Sequence, residues 1–530
     1  MFVISLKNVG GLYDMDNPYV LTLDFGTQSV RTAIFDKKGN TVAIEKKVYE
    51  PAYFSPKKGY GEQDADFYWD CAIDTLKRLC KNNKEALKNI AGATVTMFRD
   101  TAVVLDKDYK PLRPCILWLD QRLADAKEKI NPLYMAIFKL IGMKDTVILN
   151  RRRTMAQWIK ENQPEIWAKV EKYVSISTYM NYKLTGNLTD SVAGYVGHYP
   201  TDHKHRKWHN TKGMMGSLFG IPQRMLCEIT QPGAPIGVIK DEVADLVGLP
   251  RNIMMYATGP DKGTETIGVG ALDRSIGAVS YGTACTIEVS NQKYHEPEPF
   301  LPAYSAAVPG WYNMEVQIYR GYWMLKWFSK EFGRELIDEA KIQEMAVEEI
   351  LNKGLEDVPA GCDGLMLQPY WGPGLARPLA KGAVIGFSDT ITRNHFYRAI
   401  IEGIAFALKE GLQSIERSQK HKVSEIRISG GGSKSTAICQ ITADIFNLPV
   451  KKVQTEESTS LGAAIAVFVA MKEFASPEEA IKEMVHVVEE YKPNPEDAKT
   501  YEHLFKNVYI KMYPKLQYLY KKIKQFTMVK

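Results

Sequence analysis

Two short runs in this sequence set a glycine and a threonine between apolar, β-branched residues. The first is Val20-Leu-Thr-Leu-Asp24-Phe-Gly26-Thr27-Gln28-Ser29-Val-Arg31-Thr-Ala-Ile-Phe-Asp36. It reads as a strand, a tight turn and a returning strand. Backbone N–H groups and hydroxyls at such a tip suit an anion, and a carboxylate just before the glycine suits a hydrated Mg²⁺. The second run, Gly277-Ala-Val-Ser-Tyr281-Gly282-Thr283-Ala-Cys-Thr-Ile-Glu-Val-Ser290, repeats the pattern. Taken singly, either run reads more readily as an ordinary turn. As a repeated unit they imply two related halves gripping a polyphosphate from both sides of a cleft.

Four further segments have side chains suited to chemistry. Asp261, in Gly259-Pro-Asp261-Lys-Gly263, follows an apolar run, where a carboxylate can take a proton from an attacking hydroxyl. An Asp that starts a helix is an equal reading of that position. Ser429-Gly430-Gly431-Gly432-Ser433-Lys434-Ser435 lets a ring or phosphate approach the backbone, although close packing explains many such turns. It is not a Walker A loop, because Ser433 stands before Lys434. Arg99-Asp100 pairs a donor with an acceptor, which suits a diol, and Trp118-Leu-Asp120-Gln-Arg122 adds an aromatic wall with the same pairing. A solvated turn and a helix cap are the plainer readings of those two. Adjacent strand residues point to opposite faces, so Arg99 and Asp100 reach one ligand only if the backbone there is irregular. His198, His203, His205 and His209 lie among lysines and arginines and read as loop residues rather than metal ligands. Arg151-Arg152-Arg153 reads as a solvated helix end.

The elements that must carry these residues alternate strand and helix. Strands are expected at 41–49, 91–96, 101–105, 116–118, 253–258, 426–429 and 449–453. Helices are expected from Asp64 to about 87, at 122–129, 322–332, 337–351, 394–416, from 433 to about 447, and at 461–472. The stretch 194–235 is rich in Gly, Pro and His and reads as irregular, and the halves meet near 259–270. Leu504, Phe505, Val508, Tyr509 and Met512 have helical spacing that packs on the second half. Such alternation implies α/β layers with a buried sheet in each half.

At 530 residues the chain suits two domains. A charge of +6 is small for that length and does not argue for a nucleic-acid or acidic-membrane binder. Seven scattered cysteines without a C-x-x-C pair read as reduced thiols. The first ten residues lack a basic region before their apolar run, and no run reaches the length of a membrane span. A cytoplasmic protein is expected.

In order and spacing, these motifs resemble the FGGY carbohydrate kinases, members of the actin/Hsp70/sugar-kinase superfamily. The likeness runs from about residue 20 to 470. It includes Pro369-Tyr370 through Arg377-Pro378, Arg398-Ala-x-x-Glu402-Gly403, Gln440-x-x-Ala-Asp444, Pro449-Val450 and Glu457-Ser-Thr-Ser-Leu-Gly-Ala-Ala. The resemblance implies two actin-like (ribonuclease H-like) α/β domains, residues 18–265 and 266–530, facing a cleft. The second would bind ATP and carry a helical C-terminal extension.

It also implies ATP- and Mg²⁺-dependent phosphorylation of a small sugar or polyol, by a homodimer. Asp261 would be the base, with Asp24 and Asp261 at the metal. Gly26, Thr27, Gln28, Arg31, Gly282 and Thr283 would hold phosphates. Gly430, Gly431, Gly432, Ser433 and Asn447 would line the adenosine pocket. Arg99, Asp100, Trp118, Asp120 and Arg122 would hold the acceptor. Xylulokinases usually carry Met-His where this chain has Arg99-Asp100, a pair nearer the Arg-Glu of glycerol and autoinducer-2 kinases, whereas Asp120 follows the ketose kinases. Met155 replaces a signature lysine. A linear polyol or open-chain ketose is the expected acceptor, with an acidic sugar the weaker alternative. An ATP-binding assembly or chaperone-like relative is the competing class, and a sugar-binding regulator without catalysis a third.

Overall fold

The computed structural model describes residues 17–298, 301–372, 374 and 377–528, so the N-terminal apolar run and part of the 369–378 motif lie outside the described residues. The first half builds a six-stranded sheet. Its strands are β1 (Tyr19–Phe25), β2 (Ser29–Phe35) and β3 (Thr41–Val48), then, after helix α1 (Ala65–Asn82), β4 (Ile90–Met97), β5 (Pro235–Val238) and β6 (Met254–Tyr256). Their order is β5-β6-β4-β1-β2-β3. The β1–β2 hairpin is antiparallel with Asp24 opposite Arg31, whereas β1 and β4 run parallel with Leu23 beside Val95. Val20, Leu21, Thr22, Leu23, Asp24 and Phe25 are all buried, so β1 is covered on both faces.

Helix α2 (Asp261–Gly268) leads into the second half. There β7 (Ile276–Tyr281), β8 (Cys285–Asn291), β9 (Tyr304–Ser305) and β10 (Tyr312–Ile318) precede helix α3 (Arg393–Gln419). Strand β11 (Glu425–Ser429), helix α4 (Thr436–Phe446), β12 (Val450–Val453), helix α5 (Ser458–Ala470) and β13 (Val487–Tyr491) follow. This sheet runs β9-β10-β8-β7-β11-β12-β13. Apart from the added edge strand β9, it repeats the first sheet. A three-strand antiparallel meander leads to two parallel strands and an antiparallel edge. The two Gly-Thr turns are therefore equivalent tips in duplicated sheets.

The halves meet through α2 and α5. Helix α5 packs on β1 and β4 of the first sheet. Helix α2 reaches the second, where Thr266 Oγ1 donates to Glu288 Oε2 at 2.9 Å. The two helices touch through glycines. A Cβ on Gly268 would fall 1.8 Å from the Ser458 carbonyl oxygen, and one on Gly462 would fall 1.8 Å from that of Thr264.

Three expected helices differ. The one from Asp64 to about 87 breaks at Asn83 into Ala65–Asn82 and a short Lys84–Leu87. Residues 122–129 form none: the Glu161 carboxylate accepts the backbone N–H of Asp125 and of Lys127 at 2.7 and 2.6 Å, and Ala126 adopts φ +58°. The expected helix 337–351 splits into Leu336–Ile342 and Val347–Lys353, with Glu344 between them at φ +51°. After β13, Tyr501, Phe505, Tyr509 and Met512 join the core of the second half. The Tyr501 hydroxyl donates to Glu402 Oε1 at 2.6 Å and accepts from Arg398 at 2.9 Å, which answers a buried ion pair on α3. All seven thiols are free and buried. Among the described residues no helix is long and apolar enough to cross a membrane.

Candidate active site

The carboxyl ends of β1, β4, β6, β7 and β11 open on one interdomain cleft of about 950 Å³, where ligands of parallel-stranded sheets bind. Asp24, Gly26, Thr27, Gln28, Arg31, Arg99, Asp100, Trp118, Asp261, Gly282, Thr283, Gly430 and Gly431 all line it.

At the first tip, Gly26 N–H donates to the Ser29 carbonyl at 2.9 Å and closes the turn. At the second, Tyr322 N–H and Trp323 N–H donate to the carbonyls of Gly282 and Thr283 at 3.0 and 3.3 Å. The backbone N–H groups of Thr27, Gln28, Thr283 and Ala284 have no acceptor among the described residues. Two sets of free amide donors thus flank the cleft, the arrangement that binds phosphate oxygens.

Asp24 is buried, and burial followed by the charges of Glu457 and Asp261 pushes its carboxyl up to about 7, against the opposing pull of Arg31. Its partners are weak: Arg31 Nη1 lies 3.8 Å away and Ser460 Oγ donates from 3.3 Å, while Arg31 Nε pairs with Glu457 at 2.7 Å. Asp261 is the first residue of α2. Burial raises its carboxyl above the ordinary range, and Oδ1 accepts the Lys262 N–H at 2.8 Å.

Asp100 adopts φ +56°, the irregular backbone that lets both it and Arg99 face the cleft. Gly197 makes room for it, since a Cβ there would meet Asp100 Cγ at 2.4 Å. His198 donates its backbone N–H to Asp100 Oδ1 at 2.9 Å, and its Nδ1 lies 2.8 Å from Oδ2. Arg99 Nη2 reaches across the cleft to both oxygens of Glu315 on β10, at 2.5 and 2.6 Å. Burial alone would lower the Arg99 pKa, but Glu315 outweighs it and locks the guanidinium charged. Trp118 Nε1 donates to Thr27 Oγ1 at 3.1 Å, tying Trp118 to the first tip.

The remaining residues singled out in the sequence lie elsewhere. Asp120 and Arg122 bind each other at 2.7 Å, Asp120 Oδ2 also takes the Gly61 N–H at 2.7 Å, and Arg122 reaches Glu62 at 2.7 Å while stacking on Tyr60 and Trp158. Their polar atoms are spent on a buried network beside the cleft. Gly432 abuts the Tyr322 ring, where a Cβ would come within 2.3 Å. Ser433 Oγ donates to the Gly430 carbonyl at 2.7 Å, and Asn447 ends α4 in the left-handed conformation. Arg151 is buried and Arg152 Nε donates to the Ala124 carbonyl, so that triplet is no solvated helix end; Arg153 lines the cleft, as do all four histidines. Lys262, Glu265 and Glu315 went unread. A buried Glu315 alternating with buried Asn313 on a strand was a usable signal, because polar residues on an inward face need partners.

The N-terminal domain of the FGGY family of carbohydrate kinases matches residues 19–268, and its C-terminal domain matches residues 277–471. The chain belongs to the FGGY family of carbohydrate kinases. It is thereby an ATP-dependent phosphotransferase, and the assembly or chaperone alternative is not favoured. The chain is 28% identical to the xylulose kinase of Lactococcus lactis, over 92% of this chain and 95% of that one. It is equally 28% identical to an uncharacterized sugar kinase of Escherichia coli strain K12, over 93% of each. The solved gluconate kinase of Lactobacillus acidophilus has the same fold, with a TM-score of 0.79 at 22% identity over 96% of this chain and 100% of that one. The FGGY domains end at residue 471, and the described chain continues as the Tyr501–Tyr509 packing already noted.

Asp24 and Asp261 form a donor set of the kind Mg²⁺ takes, one or two carboxylates with phosphate oxygens and water completing the shell. The poorly answered burial of Asp24 fits a cation.

Proposed function

We propose that this chain phosphorylates a hydroxyl of a small neutral open-chain sugar or polyol, with Asp261 as the base. One observation carries the reading: a single cleft brings together Asp24, Asp261, both sets of free N–H donors and the Arg99-Asp100 pair. Thr27, Gln28, Thr283 and Ala284 would hold phosphate oxygens through their amides. Gly430 and Gly431 would leave room for the nucleoside. Mg²⁺, when bound, would neutralise phosphate charge beside Asp24 and Asp261. Asp261, raised by burial, would accept the acceptor's proton as its oxygen attacks. Since phosphoryl transfer proceeds through a loose transition state, positioning and fixed charge supply most of the acceleration.

Arg99 is already neutralised by Glu315, which favours hydroxyl recognition over carboxylate recognition at that end. The xylulose kinase likeness points the same way. We place this activity in the cytoplasm, in a homodimer that sedimentation would read. The test is ADP release over pentuloses, tetritols, glycerol and sugar acids, with Asp261→Asn beside the wild type. Turnover is expected with a neutral acceptor, falling about 100-fold or more in the variant. An Asp261→Asn enzyme as active as wild type would remove the base from this account.

A further inference from the structure

Immediately after Asp261 stands a part-buried lysine that the reading above does not use. Lys262 Nζ lies 2.7 Å from Glu265 Oε2 and 2.6 Å from Ser280 Oγ, and Ser280 Oγ in turn donates to Glu265 Oε1 at 2.9 Å. These three groups close a ring in which each carboxylate oxygen of Glu265 has a donor. A lysine paired with a carboxylate at 2.7 Å is an ammonium. An ammonium has three donors. The third has no acceptor among the described residues, and Lys262 lines the cleft.

The place of that donor follows from the second tip. A Cβ on Gly282 would sit 3.8 Å from Lys262 Nζ, so the ammonium stands at the turn whose Thr283 and Ala284 amides are free. Asp261 is its neighbour in the chain and lines the same cleft. A purely structural ion pair would satisfy Glu265 anywhere along α2. This one holds its cation at the second tip, facing the cleft.

We propose that Lys262 is a catalytic residue, donating a hydrogen bond to the phosphoryl group in flight; this rests on the phosphotransferase reading given above. In that step the acceptor oxygen forms its bond to phosphorus. The bond from phosphorus to the departing diphosphate breaks, its electron pair staying on the diphosphate oxygen. The acceptor's proton passes to Asp261. Lys262 keeps its own proton throughout and neutralises charge on the equatorial oxygens, while Glu265 and Ser280 fix its direction.

The test compares Lys262→Met with Lys262→Met/Glu265→Gln, which removes both charges and so avoids leaving an unpaired carboxylate. Calorimetry measures binding of ADP and of the β,γ-imido analogue of ATP, each with Mg²⁺, and thermal melting checks the fold. Both variants are expected to bind ADP as the wild type does and the imido analogue about 10-fold or more weakly, the worth of one hydrogen bond to a charged group. On the best acceptor, kcat falls about 100-fold with the acceptor KM unchanged. Equal binding of the imido analogue by the wild type and the folded double variant would overturn the proposal. So would an equal loss of ADP and analogue, which is the mark of a structural role. A wild type that binds neither nucleotide would instead defeat the phosphotransferase reading itself, and this inference with it.

Discussion

Asp24 is buried with its nearest cation 3.8 Å away, and its carboxyl titrates near 7 instead of 3.8. The sign of the consequence follows from proton counting. Between those two values the folded chain keeps a proton that the unfolded chain has released, so stability falls as pH rises through that window. The full difference is of the order of 4 kcal/mol. Asp24→Asn cannot titrate there. Ligand-free, it is expected to melt close to the wild type at pH 4 and several degrees above it at pH 8. A gap that does not widen with pH would remove this account of Asp24. The same residue should release its proton when Mg²⁺ and ATP bind at pH 6, read by calorimetry in buffers of different ionisation enthalpy. The variant should show neither that release nor Mg²⁺-dependent nucleotide binding. Stability and function oppose each other at this position, as they do where a site is built to receive a charge.

Helices α2 and α5 cross so closely that glycine is the only residue each contact point accepts. At Gly268 and Gly462 the obstacle is the facing backbone carbonyl, 1.8 Å from where a Cβ would stand, and backbone cannot rotate aside as a side chain can. Gly462→Ala should therefore push the helices apart, costing about 3 kcal/mol by overpacking. It should also displace Asp261, which begins α2, so kcat is expected to fall even where the protein remains folded. A Gly462→Ala protein with wild-type melting and kcat would show that the junction yields freely. Local pattern made most of these elements legible: β-branched runs around Gly26 and Gly282 predicted both hairpins, and the apolar spacing of residues 461–472 predicted α5. Residues 122–129 were misread because the group that takes their N–H bonds, Glu161, lies more than thirty residues further on. In the site, Asp24, Asp261 and the two tips were readable because turn chemistry is local. Glu315 was not assigned to Arg99, since that pair joins positions 216 residues apart.

That pair also decides how the two halves act together. Arg99 follows β4 of the first sheet and Glu315 lies on β10 of the second, so their contact ties the two halves together across the cleft. Both are well buried, at 12% and 5% side-chain exposure. Glu288 on β8 lies in the same cluster, and burial followed by the Glu315 charge raises its carboxyl well above the ordinary range. Glu288 can thus stay neutral while Glu315 carries the charge that answers Arg99. Removing Glu315 alone would let Glu288 ionise and take over Arg99. The informative variant is therefore Glu288→Gln/Glu315→Gln, which leaves the guanidinium unanswered in the cleft. A buried charge without a partner costs about 3–5 kcal/mol, so closure over a neutral acceptor should weaken and its KM rise at least about 10-fold. A carboxylate on the acceptor would supply the missing partner. The expected outcome is a shift of kcat/KM away from neutral sugars and toward sugar acids, a change of specificity made from outside the acceptor's own wall. The measurement is the ratio of kcat/KM for a neutral pentulose and for a sugar acid, in variant and wild type. If that ratio does not move, Arg99 is not held in charge balance across the cleft, and the proposed preference for neutral acceptors would have to come from Asp100 and Trp118 instead.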